Sequence, residues 1–292
     1  MEMNKRARVF LKFAAAAAVL AALGALAART LGEAASAEAR LAKADGELYT
    51  PAYLDLREKL AAKYRCVLPG RFGEAVKGVT RRLPEAAGKT IALTLDACGG
   101  EHSRGYNSGL INFLRAEKIP ATLFVSSLWI DRHPSVFMEL ARDPGFEIES
   151  HGYLHRACSV SGAGRWTVKG TANPAQAVDE IELNARKIEL LTGRRPRFHR
   201  PAAAYSDEAC AALAKDLGIS VLTYSVYSGD FSPRATGAGI ASNLLKYVFP
   251  GGIILMHFNH PGWSEEAALR KAVPELKKRG YTFVLLDAAF KR

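Results

Sequence analysis

From Lys89 onward, short apolar runs rich in β-branched residues alternate with longer stretches whose apolar residues recur at helical spacing. Runs that are apolar at consecutive positions suit strands buried on both faces, and strands separated by helices are parallel strands covered by those helices. The pattern predicts strands at 90–96, 121–126, 146–150, 197–200, 220–225, 252–258 and 281–287. Helices are expected between them, at about 105–118, 134–142, 174–191, 206–217, 239–248 and 264–279. This rhythm implies an α/β fold, a distorted or incomplete (β/α) barrel of about seven parallel strands, which fits slightly better than an open doubly wound sheet.

With 292 residues, 49% of them apolar, the chain is long enough for one large core and is neither disordered nor collagen-like. Three segments are expected: 1–37, 38–87 and 88–292. The first carries Lys5, Arg6, Arg8 and Lys12 ahead of an uncharged run from Phe13 to Ala28. It reads as a secretory signal peptide with small-residue cleavage patterns at Ala25-Leu26-Ala27 and Ala35-Ser36-Ala37, or else as an uncleaved signal anchor. No Arg-Arg pair of the twin-arginine type is present, which favours the general secretion route. Residues 38–87 read as a short helix and a turn-rich linker, and 88–292 as the domain that carries the chemistry.

Loss of 1–37 lowers the formal charge from +11 to +8, because Lys5, Arg6, Arg8, Lys12 and Arg29 leave together with Glu2 and Glu33. A basic exported protein suits an anionic cell-envelope polymer, in the periplasm or outside the cell, with membrane attachment only through an uncleaved N-terminus. No basic run is interleaved with aromatics, so nucleic acid is not an expected partner. Cys66, Cys98, Cys158 and Cys210 allow up to two disulfides in an oxidising compartment, and none has the Cys-x-x-Cys spacing of a zinc cluster.

The chemistry-bearing side chains fall on one end of the expected strands. Asp96 ends the first strand, His151 and His155 follow the third, Arg200 ends the fourth, Asp230 lies past the fifth, and His257 is near the end of the sixth. In parallel α/β folds that carboxyl rim is where active sites assemble. His151 and His155, four residues apart around a glycine, suit a divalent ion such as zinc, cobalt or nickel. A hydrolytic site also needs a base and an acid that titrate apart, for which Asp96 and His257 are the candidates, with His260 as a competitor for the acid. Arg200 beside Asp96 would hold it ionised, and Asp230 beside His257 would hold it protonated. Equally, Arg200 and Asp230 would pair with each other as a structural bridge.

The stretches TLDACGG, HGYLH, HRPAAAY, YSVYSGDF and LMH stand in the order, and at about the spacing, of five motifs. In this the chain resembles the polysaccharide deacetylase family, the NodB-type family 4 carbohydrate esterases, over roughly residues 88–287. The resemblance implies a distorted (β/α) barrel that removes acetyl groups from N-acetylated, sometimes O-acetylated, sugars with a divalent metal, zinc first. By position, Asp96 matches the catalytic base, His151 and His155 the metal-binding histidines, and His257 the catalytic acid. Arg200 and Asp230 match the arginine and aspartate of the third and fourth motifs, and Leu255 matches the apolar residue of the acetyl pocket. Tyr205 in the third motif and Trp166 in the preceding loop are candidate substrate contacts.

Two departures stand out. The family's first motif has a second aspartate that binds metal, and Ala97 occupies that place; Asp96, Cys98, Glu101 and His102 are the nearby substitutes. Gly152, Tyr227 and Phe231 replace a hydroxyl residue, an aspartate and a tryptophan of the later motifs. A disulfide between Cys98 and Cys158 would fix the rim loops. Besides deacetylation, two other functions fit: a glycan-binding or assembly protein that lost activity with the aspartate at 97, and a hydrolase of other non-peptide carbon–nitrogen bonds.

Overall fold

A computed structural model of the chain describes residues 5–84, 88–101 and 103–291. Its central sheet contains β1 (Val79–Thr80), β2 (Thr90–Ala97), β3 (Ala121–Val125), β4 (Phe146–Ser150), β5 (Phe198–His199), β6 (Ser220–Leu222), β7 (Val226–Tyr227), β8 (Ile253–His257) and β9 (Thr282–Phe283). All pairings within it are parallel, in the order β1-β6-β5-β4-β3-β2-β8-β7, with β9 also beside β2. Residues 223–225 alone join β6 to β7, although six strand-to-strand steps separate the two in the sheet. Four Cα steps reach at most about 14 Å, whereas six steps across a flat sheet cover about 29 Å. The sheet therefore curls until its edges nearly meet, which makes it the incomplete barrel expected from the sequence.

Around it lie α1 (Lys5–Gly46), α2 (Pro51–Tyr64), α3 (Ser108–Ala116), α4 (Ser127–Arg132), α5 (Pro134–Arg142) and α6 (Pro174–Val178). A π-helical turn, Asp179–Leu183, leads from α6 into α7 (Asn184–Thr192), followed by α8 (Glu208–Asp216), α9 (Gly237–Tyr247), α10 (Glu265–Lys278) and α11 (Leu286–Ala289). β2 explains why the sequence reads apolar throughout. Ile91, Leu93, Leu95 and Ala97 pack outward with Leu110, Leu114, Trp129 and Leu269, while Ala92 points into the barrel with Phe124, Phe198, Leu222 and Ile253. Each buried leucine or isoleucine contributes about 1.5–3 kcal/mol. Asp96 shares the inner face with Ala92 because strand side chains alternate with period two.

All seven expected strands are present: 146–150 has the expected bounds, the first extends one residue further to Ala97, and those at 121–126, 197–200 and 252–258 are a residue or two shorter. The segment expected as one strand at 281–287 divides into β9 and α11, and 220–225 ends early at Leu222. β1 and β7 are two residues each, too short to show any periodicity. The helix expected within 38–87 is α2, whose Tyr53, Leu60 and Tyr64 are buried against the domain. α1 runs past both small-residue patterns, and its Ala37 and Ala44 join the core. Among the described residues no helix is long and apolar enough to cross a membrane.

Candidate active site

The register between β2 and β8 sets Asp96 and His257 directly opposite each other. Both are at strand ends, so their side chains share one mouth of the barrel. Asp96 Oδ1 accepts a hydrogen bond from Arg200 Nη1 at 2.7 Å, and Oδ2 lies 3.7 Å from His151 Nε2. Burial pushes the Asp96 carboxyl up, but Arg200, His151 and His257 together pull it below its ordinary value. Arg200 is itself held rigidly: Nη2 donates to the Thr223 carbonyl at 3.0 Å and the guanidinium lies 4.1 Å from the Phe124 ring centre. Asp230 supports the other side. Its Oδ2 accepts from the His257 backbone N–H at 2.7 Å and from Nδ1–H at 3.0 Å. Burial lowers the His257 pKa, yet Asp230 and Cys98 outweigh it and raise the imidazole well above its usual value. Arg200 and Asp230 therefore hold separate partners rather than bridging each other.

His151 directly follows β4, and its ring is fixed by Nδ1, which sits 2.7 Å from the Arg200 carbonyl oxygen and donates to it. Nε2 is left free to face the mouth. His155 stands in the left-handed region at φ +55°, a conformation that costs about 1–3 kcal/mol unless its surroundings enforce it. Glu180 enforces it: its carboxylate accepts from the Leu154 and Arg156 N–H groups, each at 2.8 Å, and its carbonyl accepts from Tyr153 N–H at 2.9 Å. Gly152, at φ +92°, leaves the space that Glu180 fills, since a Cβ there would run into Oε1. The unusual glycine of the second motif and the buried glutamate are thus one feature. Burial lifts the Glu180 carboxyl to about 7 against the pull of those N–H groups. Nothing near Glu180 in the sequence marks it out; Gly152 was the only signal.

A cavity of about 210 Å³ opens between these groups, lined by Asp96, His151, His155 and His257, with Leu255 on its apolar side. Trp166, Phe231, Tyr224 and Trp263 form an aromatic rim around it. Trp166 is 63% exposed, and Tyr205 stands behind it at 6.0 Å between ring centres rather than lining the cavity. His260 stacks flat on Trp263 at 3.7 Å, and burial with the nearby His257 lowers its pKa to about 4. Both influences favour its neutral form, and it stands in the wall of the cavity.

The cysteines correct one expectation. Cys158 bonds to Cys210, not to Cys98, with Cα atoms 5.7 Å apart. The reason is local: the Cys158 backbone pairs with Tyr205 and Asp207, which aims its side chain at the first turn of α8. Closing that loop restricts the unfolded chain by about 4 kcal/mol on the chain-entropy argument. Cys66 is free and exposed, and Cys98 is free and buried. Burial pushes the Cys98 thiol up, but His155 and His257 bring it down to about 6. Donor atoms of Cys98, His151 and His155 all lie within 4.8 Å of one another, a set whose chemistry fits a divalent transition ion. Ala97 packs in the outer core, Glu101 is exposed, and His102 lies outside the described residues.

Residues 84–222 match the family model for polysaccharide deacetylase. A peptidoglycan-N-acetylmuramic acid deacetylase of Bacillus subtilis is 27% identical over 202 residues, covering 68% of this chain and 70% of the relative. A peptidoglycan-N-acetylglucosamine deacetylase of Bacillus cereus is 27% identical over 201 residues, covering 68% and 87%. Among solved structures, a family 4 acetyl xylan esterase from Clostridium thermocellum in complex with a cobalt ion aligns with a TM-score of 0.55 at 25% identity, covering 69% of this chain and 90% of that one. A CE4 family pseudoenzyme from Bacillus anthracis shares the fold with a TM-score of 0.57 at 20% identity, covering 72% and 67%.

Proposed function

We propose that this chain, whose residues 84–222 match the polysaccharide deacetylase family model, is an exported, metal-dependent amidase removing N-acetyl groups from an envelope polysaccharide, peptidoglycan first. One observation carries the reading. An acid held ionised, Asp96 with Arg200, and an imidazole held protonated, His257 with Asp230, face each other across a cavity that also holds two histidines and a thiol. Such an opposed pair is what splitting an amide by water needs.

Asp96 Oδ2 takes a proton from the attacking water while Arg200 keeps Oδ1 occupied and the carboxylate oriented. His257 gives its Nε2 proton to the departing sugar nitrogen as the carbon–nitrogen bond breaks, and Asp230 stabilises the ring through Nδ1. Leu255 offers an apolar wall to the acetyl methyl, and Trp166 offers a face for a sugar ring. His151 and His155 are groups that would hold a divalent ion, which when bound supplies polarisation of the acetyl carbonyl and of water. Acetate and a free amine are the products. Export rests on the basic and apolar pattern of 1–37, and the charge of +8 beyond it suits an anionic wall polymer.

Purified full chain supplied with zinc, cobalt or nickel is expected to release acetate from chitooligosaccharide or peptidoglycan. Absence of acetate with every ion would overturn the reading. Ala97 favours one alternative, a glycan-binding protein without turnover, since the same fold also serves a pseudoenzyme. Its signature is glycan binding that Asp96→Asn leaves unchanged, with no acetate from the parent.

A further inference from the structure

We infer that Cys98 is the third protein ligand of the metal, taking over the part of the carboxylate missing at position 97. The inference rests on the reading that this mouth holds a divalent ion, and it goes beyond it by making the site a Cys-His-His centre.

Strand alternation carries the first step. β2 continues through Ala97, whose methyl is buried in the outer core beside Leu95 and Trp129. Position 97 thus faces the helices, and position 98 returns to the face of Asp96. The distances carry the second. Cys98 Sγ lies 3.7 Å from His151 Nε2, and in a tetrahedral zinc site a sulfur at 2.3 Å and a nitrogen at 2.0–2.1 Å stand about 3.6 Å apart. His155 completes a triangle in which all donor atoms lie within 4.8 Å, and Asp96 is not part of that set. Asp96 is turned instead to Arg200, which leaves it free to act as the base.

Elimination of other roles for the thiol carries the third. The disulfide of this region uses Cys158 and Cys210, so Cys98 stays unpaired and buried between two imidazoles. Three protein ligands of this kind leave a fourth position open for water or substrate, as catalytic zinc sites do. A thiolate in the set favours zinc and cobalt over magnesium and manganese, which carboxylate-rich sites accept.

The test is titration of metal-free full chain with cobalt(II), read by absorption and by bound metal per chain. One cobalt per chain with a thiolate-to-cobalt charge-transfer band in the near ultraviolet is expected. Cys98→Ser should remove the band and weaken cobalt binding by about a hundredfold, the upper end of what losing even an outer partner costs. Cys66→Ser should keep both. Cys98→Asp should bind cobalt without the band, and it reports on the ligand position should the serine variant fail to fold. Stoichiometric cobalt with no band in the parent overturns the sulfur ligand while the deacetylase reading stands. No cobalt bound, with acetate still released, overturns the metal site; no cobalt and no acetate overturns both readings together.

Discussion

Asp96 and Glu149 sit on one rung of the barrel, separated only by Phe124 between them. Both are buried to within a few per cent, yet they meet opposite fates. Asp96, at the mouth, receives the Arg200 guanidinium and stays ionised. Glu149 receives the Phe198 N–H at 2.7 Å, but its nearest charged neighbour is Glu147, and burial with that like charge raises its carboxyl well above the usual range. Asp287 completes an acidic group there, tied outward to Arg197 and Arg194. The lesson is that burial alone does not decide whether a carboxylate keeps its charge; a cation within hydrogen-bond reach does. Asp96 has such a cation in Arg200, and Glu149 has a like-charged neighbour instead.

The comparison breaks first at Asp96. Asp96→Asn preserves shape and removes the base, so acetate release should fall by about 10²–10⁴-fold with little change in melting temperature. Equal activity in the variant would show that the ionised member of the pair does no chemistry. Next comes its cation. Arg200→Met should cost about 3–5 kcal/mol of stability, because Asp96 is left buried and uncompensated, and the acid limb of the rate profile should move to higher pH. A melting temperature unchanged by this substitution would mean that Asp96 does not depend on Arg200 for its charge.

Asp230→Asn tests the opposite wall of the mouth. It removes the partner that keeps His257 protonated, so the alkaline limb of kcat/KM against pH should move to lower pH and activity at pH 8 should drop about tenfold. A fixed alkaline limb would assign the proton to another group. The smallest effect belongs to Glu149→Gln. Its raised folded pKa means that the folded chain retains a proton which the unfolded chain releases above about 4.3. That contribution to stability is full at lower pH and is lost as pH climbs towards the folded value. The glutamine variant, neutral throughout, should match the parent at pH 4 and gain a few degrees on it by pH 8, with turnover unchanged. A parent that gains on the variant as pH rises would reverse the assignment.

Much of this site was legible beforehand because strand ends are. A strand long enough to show its apolar run, such as β2 or β8, fixes its carboxyl end to within a residue, and in a parallel sheet those ends converge. That placed Asp96 and His257 at the mouth, with His260 still a competitor for the acid. β7 was not legible in this way, since Val226 and Tyr227 carry no period, although their place beside β8 is what brings Asp230 under His257. Glu180 was equally hidden: it lies in an ordinary helical stretch, and its role depends on the void at Gly152, which only the folded backbone creates. The pairing of Cys158 with Cys210 was open among three connectivities until the strand-like contact with Asp207 aimed one sulfur at the other.

By itself, then, the sequence determined the parallel α/β architecture, the rim on which the reactive groups stand and, set beside the family it resembles, the alanine standing for an aspartate at 97, because periodicity and residue identity are local properties of a chain. The tertiary structure decided which partner each charge has, which carboxylate stays ionised and which sulfur is left free beside the histidines. Those outcomes depend on distances between segments more than a hundred residues apart, such as Asp96 and Arg200, and electrostatic energy is a function of distance and burial rather than of order along the chain.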